Sequence, residues 1–154
     1  LIDVNLKKVI GLNSAYIFNT FLNLSIIESE YIKSNEPGVE GKEVEFVPKY
    51  NIKYGIKFGY KNFTSYLQYS YLASQYSDSS NSVESNLSGV IGQIPAYDIL
   101  DFSMNYKLGE IKLETGINNI LDTSYFTRRA TGYPGPGIIP SPPRNYYLTL
   151  QYKF

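Results

Sequence analysis

The sequence contains no cysteine, no histidine and no tryptophan. Without cysteine there is no disulfide framework, no thiolate metal site and no thiol nucleophile. Without histidine the usual imidazole proton carrier and metal ligand are missing too. No catalytic residue, no metal site and no cofactor is expected. Neither charge sign prevails: Lys plus Arg number 14 and Asp plus Glu number 14. The basic footprint of a nucleic-acid protein is therefore absent. No run of about 18 apolar residues occurs, so no membrane-crossing helix is expected. That absence leaves a membrane barrel untouched, because barrel strands are short and only half apolar.

What the 154 residues do contain is aromatic: 16 Tyr and 8 Phe. Tyrosine has an apolar ring and a polar tip, which suits a boundary between greasy and wet regions, and equally suits any sheet surface. The segment from Arg144 to Phe154 alternates without a break. Tyr146, Leu148, Leu150, Tyr152 and Phe154 fall on one face; Asn145, Tyr147, Thr149, Gln151 and Lys153 fall on the other. A period of two means a strand with two different surroundings.

The pattern recurs upstream. Residues 1–8 alternate, with Ile2, Val4 and Leu6 opposite Asp3, Asn5 and Lys7, and 9–13 form a tight connection. A strand over 14–32 follows, less clean because Ile17 and Phe21 stand among its polar residues. Residues 33–43 form a polar loop. In 44–60, Tyr50, Ile52, Tyr54, Ile56, Phe58 and Tyr60 oppose Asn51, Lys53, Gly55, Lys57 and Gly59, with Pro48 marking the edge of the hydrogen-bonded region. Lys61-Asn62 reverses the chain into a strand over 63–76. A long polar loop covers 77–93. Strand 96–107 turns at Leu108-Gly109 into strand 110–126. Residues 127–143 form a loop dense in Pro and Gly before the terminal strand.

These are seven strands whose neighbours can pair antiparallel. The first, third and fifth connections are short and the others long. One rim is therefore trimmed and the other elaborate, as in outer-membrane barrels. The C-terminus falls on the short-turn side. A soluble β-sandwich or small-barrel binding module also fits at this point. The odd strand count, and a first residue that is Leu and stands inside a strand pattern, lead us to expect further strands before residue 1. The expected fold is all-β: an antiparallel up-and-down transmembrane barrel of which the chain is the C-terminal portion.

The segment Gly116-Ile117-Asn118-Asn119-Ile120-Leu121-Asp122-Thr123-Ser124-Tyr125-Phe126 resembles the G-(V/I)-N-N-L-(F/L)-D-x-x-Y motif of TonB-dependent outer-membrane receptors. Within it, Gly116, Asn118, Asn119, Asp122, Tyr125 and Phe126 match the family pattern. Thr127 to Gly137 is similar to the last external loop of the ferric citrate branch. The close Tyr147 to Phe154 resembles that family's terminal strand. Glu45 to Tyr50 and Gln93 to Asp101 resemble two of its strand starts. The resemblance implies a 22-stranded barrel filled by an N-terminal plug, neither plug nor TonB-contacting box lying in this chain. It implies residence in the bacterial outer membrane with the C-terminus at the periplasmic rim. The implied partners are membrane lipid, the barrel assembly machinery and, through the complete protein, TonB and a ferric chelate, with another siderophore, cobalamin or a glycan as alternative cargo.

Candidate residues follow. Arg128 and Arg129, the only paired arginines, could grip an anionic chelate, since guanidinium forks match carboxylates; an ordinary solvated basic pair looks the same. Tyr133 is a further contact candidate on the loop shaped by Gly132, Pro134, Gly135, Pro136 and Gly137. Arg144 is another, unless it ties the loop to a carboxylate across the wall. Asn118, Asn119 and Asp122 are either rim landmarks or Asx residues that end the ladder. Lys53, Lys57, Lys107, Lys112, Asp101, Glu110 and Glu114 are expected on the luminal face. Tyr152 and Phe154 resemble the terminal signal read by the assembly machinery and would join an aromatic girdle.

Overall fold

The computed structural model describes residues 1–133 and 135–154. Its main feature is one antiparallel sheet of seven strands: β1 (Ile2–Asn5), β2 (Tyr16–Ile26), β3 (Tyr50–Tyr60), β4 (Phe63–Leu72), β5 (Tyr97–Leu108), β6 (Ile111–Asn118) and β9 (Asn145–Tyr152). The order β1-β2-β3-β4-β5-β6-β9 is a meander, interrupted only by a separate hairpin of β7 (Phe126–Ala130) and β8 (Gly137–Pro140). The sheet is open, with β1 and β9 as its edges.

Alternation along each strand and the pairing register together make two chemically distinct faces. Thr20, Ile56, Leu67, Phe102 and Ile117 lie in register across β2 to β6, and Ile117 meets Tyr146 of β9. Two residues along, Leu22, Tyr54, Tyr69 and Leu100 repeat the pattern. The opposite face carries Asn19, Lys57, Tyr66 and Ser103 in one row and Asn23, Lys53 and Ser70 in another. A one-residue slip would exchange the two faces, so the polarity contrast itself specifies the register.

The interruptions of β2 have a structural use. Phe21 lies on the polar face opposite Gly55, where a Cβ would overlap its ring, and it stacks on Tyr66 at 6.1 Å and 13°. Tyr147 covers Gly116 in the same way; a Cβ there would come within 2.6 Å of both the Tyr147 ring and the Phe102 carbonyl oxygen. Glycine lets the ring lie flat across the neighbouring strand, a packing that rescues an otherwise bare backbone.

The strands are shorter than their alternation implies. Residues 1–8 are not one strand: Leu6–Val9 form a single helical turn, α1, which Asn5 caps by accepting from the Lys8 N–H at 3.3 Å. β2 stops at Ile26 rather than 32. Ile27 donates to the Lys49 carbonyl at 3.0 Å, and the next partner would be Pro48, which has no N–H. For the same reason β3 begins at Tyr50, not 44, with Pro48 outside its ladder. β4 ends at Leu72, not 76, one bond before its partner strand runs out. β6 ends at Asn118, not 126, because Asn119 turns left-handed at φ 53°. The fifth turn sits at Gly109-Glu110, one residue beyond the expected Leu108-Gly109. The stretch 127–143 contains the β7–β8 hairpin in place of a plain loop.

Among the described residues the buried apolar ones are Val39, Ala73, Ile94, Ile99 and Ala130. All but Ile99 lie outside the seven-stranded sheet, and Ile99 sits at the long-connection end of β5. The core of the molecule is therefore at one rim.

Candidate functional site

Three long connections, 27–49, 73–96 and 119–144, meet at that rim. The first two are sewn together by an amide exchange. The Glu43 N–H donates to Asn81 Oδ1 and Asn81 Nδ2 donates back to the Glu43 carbonyl, both at 2.8 Å. The Phe46 N–H adds a bond to the Tyr76 carbonyl at 2.9 Å. Within the second connection Gln75 bridges Ile94, and the Ser77 hydroxyl donates to the Gly92 carbonyl at 2.8 Å. In the first, Tyr31 donates its hydroxyl proton to a Glu45 carboxylate oxygen at 2.5 Å. That bond to the carboxylate holds the phenol above its ordinary pKa of 10.0.

The second and third connections are joined by Arg129. Its side chain is buried, donating to the Gly89 carbonyl at 2.8 Å and to the Ser85 hydroxyl and Gln93 carbonyl at 2.9 Å each. The Phe126 ring lies 5.1 Å from the guanidinium carbon. Neutral acceptors and a ring face thus solvate a cation with no carboxylate partner, and Nε alone is left without an acceptor. On the same strand Arg128 is exposed, and both arginines border one open cleft. The paired arginines therefore divide: Arg129 is occupied within the protein, while Arg128 is free to meet something outside it.

Arg128 lines an open cleft of about 730 Å³ to which all three connections contribute. Phe46 comes from the first, Asp78 and Ile91 from the second, Thr127 and Thr131 from the third. Asp78 Oδ1 accepts from the Ser80 and Ser82 N–H groups at 3.1 and 3.4 Å and from the Ser80 hydroxyl, whereas Oδ2 is buried without a partner. The cleft thus presents a cationic donor, hydroxyls, an aromatic wall and the Asp78 carboxylate. No cluster that could hold a metal ion occurs among the described residues.

The segment Gly116–Phe126 proves to be a lock for the rim. The Asn119 N–H donates to Asp101 Oδ1 at 2.9 Å, while its side-chain amide exchanges bonds with the backbone of Thr123 at 2.9 and 3.0 Å. Asp122, at φ 56°, accepts from the Arg144 N–H at 3.0 Å and pairs with its guanidinium at 3.4 Å. Asn118 donates to Asn145 at 2.8 Å across the top of the β6–β9 ladder. Tyr125 rests on Tyr97 with ring centroids 4.6 Å apart. The Asx bonding expected of these residues is what ends β6. Arg144 pairs with a carboxylate of its own connection, not with one across the wall, and Tyr133 is 98% exposed. Pro134, counted with the same loop, lies outside the described residues. At the other rim Tyr152 and Phe154 meet edge to face at 5.1 Å, and the Lys153 N–H donates to the Glu110 carbonyl at 3.1 Å. Sequence reasoning missed Ser85, Gly89 and Gln93. Their role depends on a partner 36 to 44 residues away, and no local pattern announces it.

A family profile described as "TonB dependent receptor-like, beta-barrel" matches residues 3–120, about three-quarters of the chain. Among solved structures, the ferric citrate transporter FecA in its unliganded form superposes with a TM-score of 0.85 at 24% identity. The superposition covers 99% of this chain and 23% of that one. The ferric yersiniabactin uptake receptor FyuA from Yersinia pestis gives 0.71 at 17% identity, covering 93% of this chain and 22% of that one. The siderophore receptor PiuA from Acinetobacter baumannii gives 0.69 at 20%, covering 93% and 20%. The chain thus spans less than a quarter of each structure it matches, and at these identities the likeness speaks for the fold.

Proposed function

This chain belongs to the TonB-dependent receptor family as part of its β-barrel, and from that premise we propose that the complete protein imports a ferric chelate across the bacterial outer membrane, ferric citrate being the first candidate. The observation that carries this reading is the two-faced wall. Its apolar face leaves Tyr54, Leu148 and Leu150 exposed over a sheet that no helix covers. Lipid is the environment that such a face requires.

In this reading the chain is the C-terminal portion of a 22-stranded barrel, and a plug domain precedes it. The elaborate rim faces the outside; the short turns and the C-terminus face the periplasm. Arg128 and Tyr133 are the residues of this chain that meet the chelate. The carboxylates of a ferric citrate complex match a guanidinium fork, and the cleft supplies hydroxyl and aromatic neighbours. Arg129 and Arg144 hold the loops in place behind them. TonB, powered from the inner membrane, displaces the plug after binding. Tyr152 and Phe154 serve as the signal to the barrel assembly machinery.

The test is iron uptake. Cells lacking their own receptors, given the complete protein, should accumulate labelled iron from ferric citrate faster than from other chelates, and only while TonB is present. Uptake that ignores TonB, or that prefers another cargo, overturns the corresponding half of the proposal.

A further inference from the structure

Charge is neutral overall but unevenly placed. Among the described residues, the side-chain carboxylates toward the short turns are Asp3, Glu110 and Glu114, and lysines outnumber them. Around the long connections the balance reverses. Lys53, Lys57, Lys107 and Lys112 belong to the polar face of the wall. Lys7, Lys8 and Lys61 instead stand on the lip, in α1 and in the β3–β4 turn, whereas Lys153 continues the polar face and shares a cleft with Lys107 and Lys112. Among the described residues none of these lip lysines forms an ion pair, whereas at the other rim Lys49 pairs with Glu28 and Arg144 with Asp122.

The lip continues the apolar face. Tyr16, Phe58, Tyr60, Phe63, Tyr106 and Tyr152 end that face on the short-turn side. Tyr16 and Tyr60 touch, with ring centroids 4.6 Å apart. Lys61 places its ammonium 5.1 Å from the centroid of the Tyr60 ring, so its charge sits on the apolar side of the wall and not on the polar one. An occupant of this lip must therefore present an anion and an apolar body to adjoining surfaces. A phospholipid does so, with a phosphate above its acyl chains; an acidic polypeptide supplies only the charge.

We propose that the short-turn lip, through Lys7, Lys8 and Lys61 beside the aromatic belt, recognises anionic phospholipid headgroups. The inference rests on the outer-membrane reading above and adds a lipid preference to it. Lysine stems lie along the rings while their ammonium groups reach the headgroup layer. Each such cation gains from a nearby anionic surface, and salt removes the gain within a Debye length.

The experiment uses the complete receptor in phosphatidylcholine vesicles, with spin-labelled phosphatidylglycerol or spin-labelled phosphatidylcholine as probe. The motion-restricted fraction of each measures association with the barrel. Phosphatidylglycerol should associate about three-fold more strongly at low ionic strength, and the preference should fade in about 1 M salt. Combining Lys7→Gln, Lys8→Gln and Lys61→Gln should erase most of it, while Lys33→Gln with Lys42→Gln, on the opposite rim, should leave it unchanged. Unaltered restriction of phosphatidylcholine shows that a variant still spans the bilayer. Equal association of the two lipids, or a preference that survives the triple variant, overturns the inference. No motion-restricted lipid of either kind overturns the membrane reading itself.

Discussion

Leu148 and Leu150, in the middle of β9, are 72% and 70% exposed, while at the far rim Ile94 is 1% exposed and the charged Arg129 6%. The strands turn apolar side chains outward and hold together by ladders between neighbours. The rim buries Val39, Ile94 and Ala130 and binds its connections by side-chain hydrogen bonds spanning tens of residues. A wall of this kind draws its stability from an environment outside the polypeptide, whereas the rim behaves like a small soluble core. Substitutions should therefore act by different rules in the two regions.

The largest effect is expected where the wall meets lipid. Leu148→Arg in the complete receptor should cost about 2–4 kcal/mol in vesicles, read from its urea unfolding midpoint. Thr149→Arg, one residue along and on the polar face, should cost far less. Equal penalties would erase the distinction between the two faces. Next is Arg129→Ala at the rim. It strands the Gly89 and Gln93 carbonyls, a loss of about 2–3 kcal/mol that should remain local. Hydrogen exchange should speed up across 77–93 and 126–140 while β3 and β4 keep their protection; acceleration in those strands would show that rim and wall unfold together. The smallest effect is expected at Arg144→Ala. Its guanidinium and the Asp122 carboxylate are 39% and 51% exposed, so solvent screening leaves less than about 1 kcal/mol. The Arg144 N–H still caps Asp122, and faster exchange should be confined to the top of the β6–β9 ladder.

The same division explains what the sequence discloses. Strand number, order, the two faces and the asymmetry of the connections all follow from period-two alternation, which the wall obeys nearly throughout. Alternation reports which way a side chain faces, not whether its backbone has a partner. The expected strands therefore overran at Ile26, Leu72 and Asn118, where Pro48, the start of β3 and the left-handed Asn119 end the ladders. Phe21 seems out of place along β2 and becomes intelligible only across the sheet, lying over Gly55. At the rim, Asn119 was legible because its Asx bonding is local, whereas Asn118 and Asp122 bond to Asn145 and Arg144, 27 and 22 residues away. The separate duties of Arg128 and Arg129 were not, since adjacent arginines read alike until one of them finds Gly89 and Gln93.

Because β6 bonds directly to β9, the β7–β8 hairpin is a detour that the main sheet never passes through. Lengthening it, shortening it or exchanging its tip would leave Asn118 opposite Asn145 as before. The register of the sheet is thus independent of the length of that hairpin.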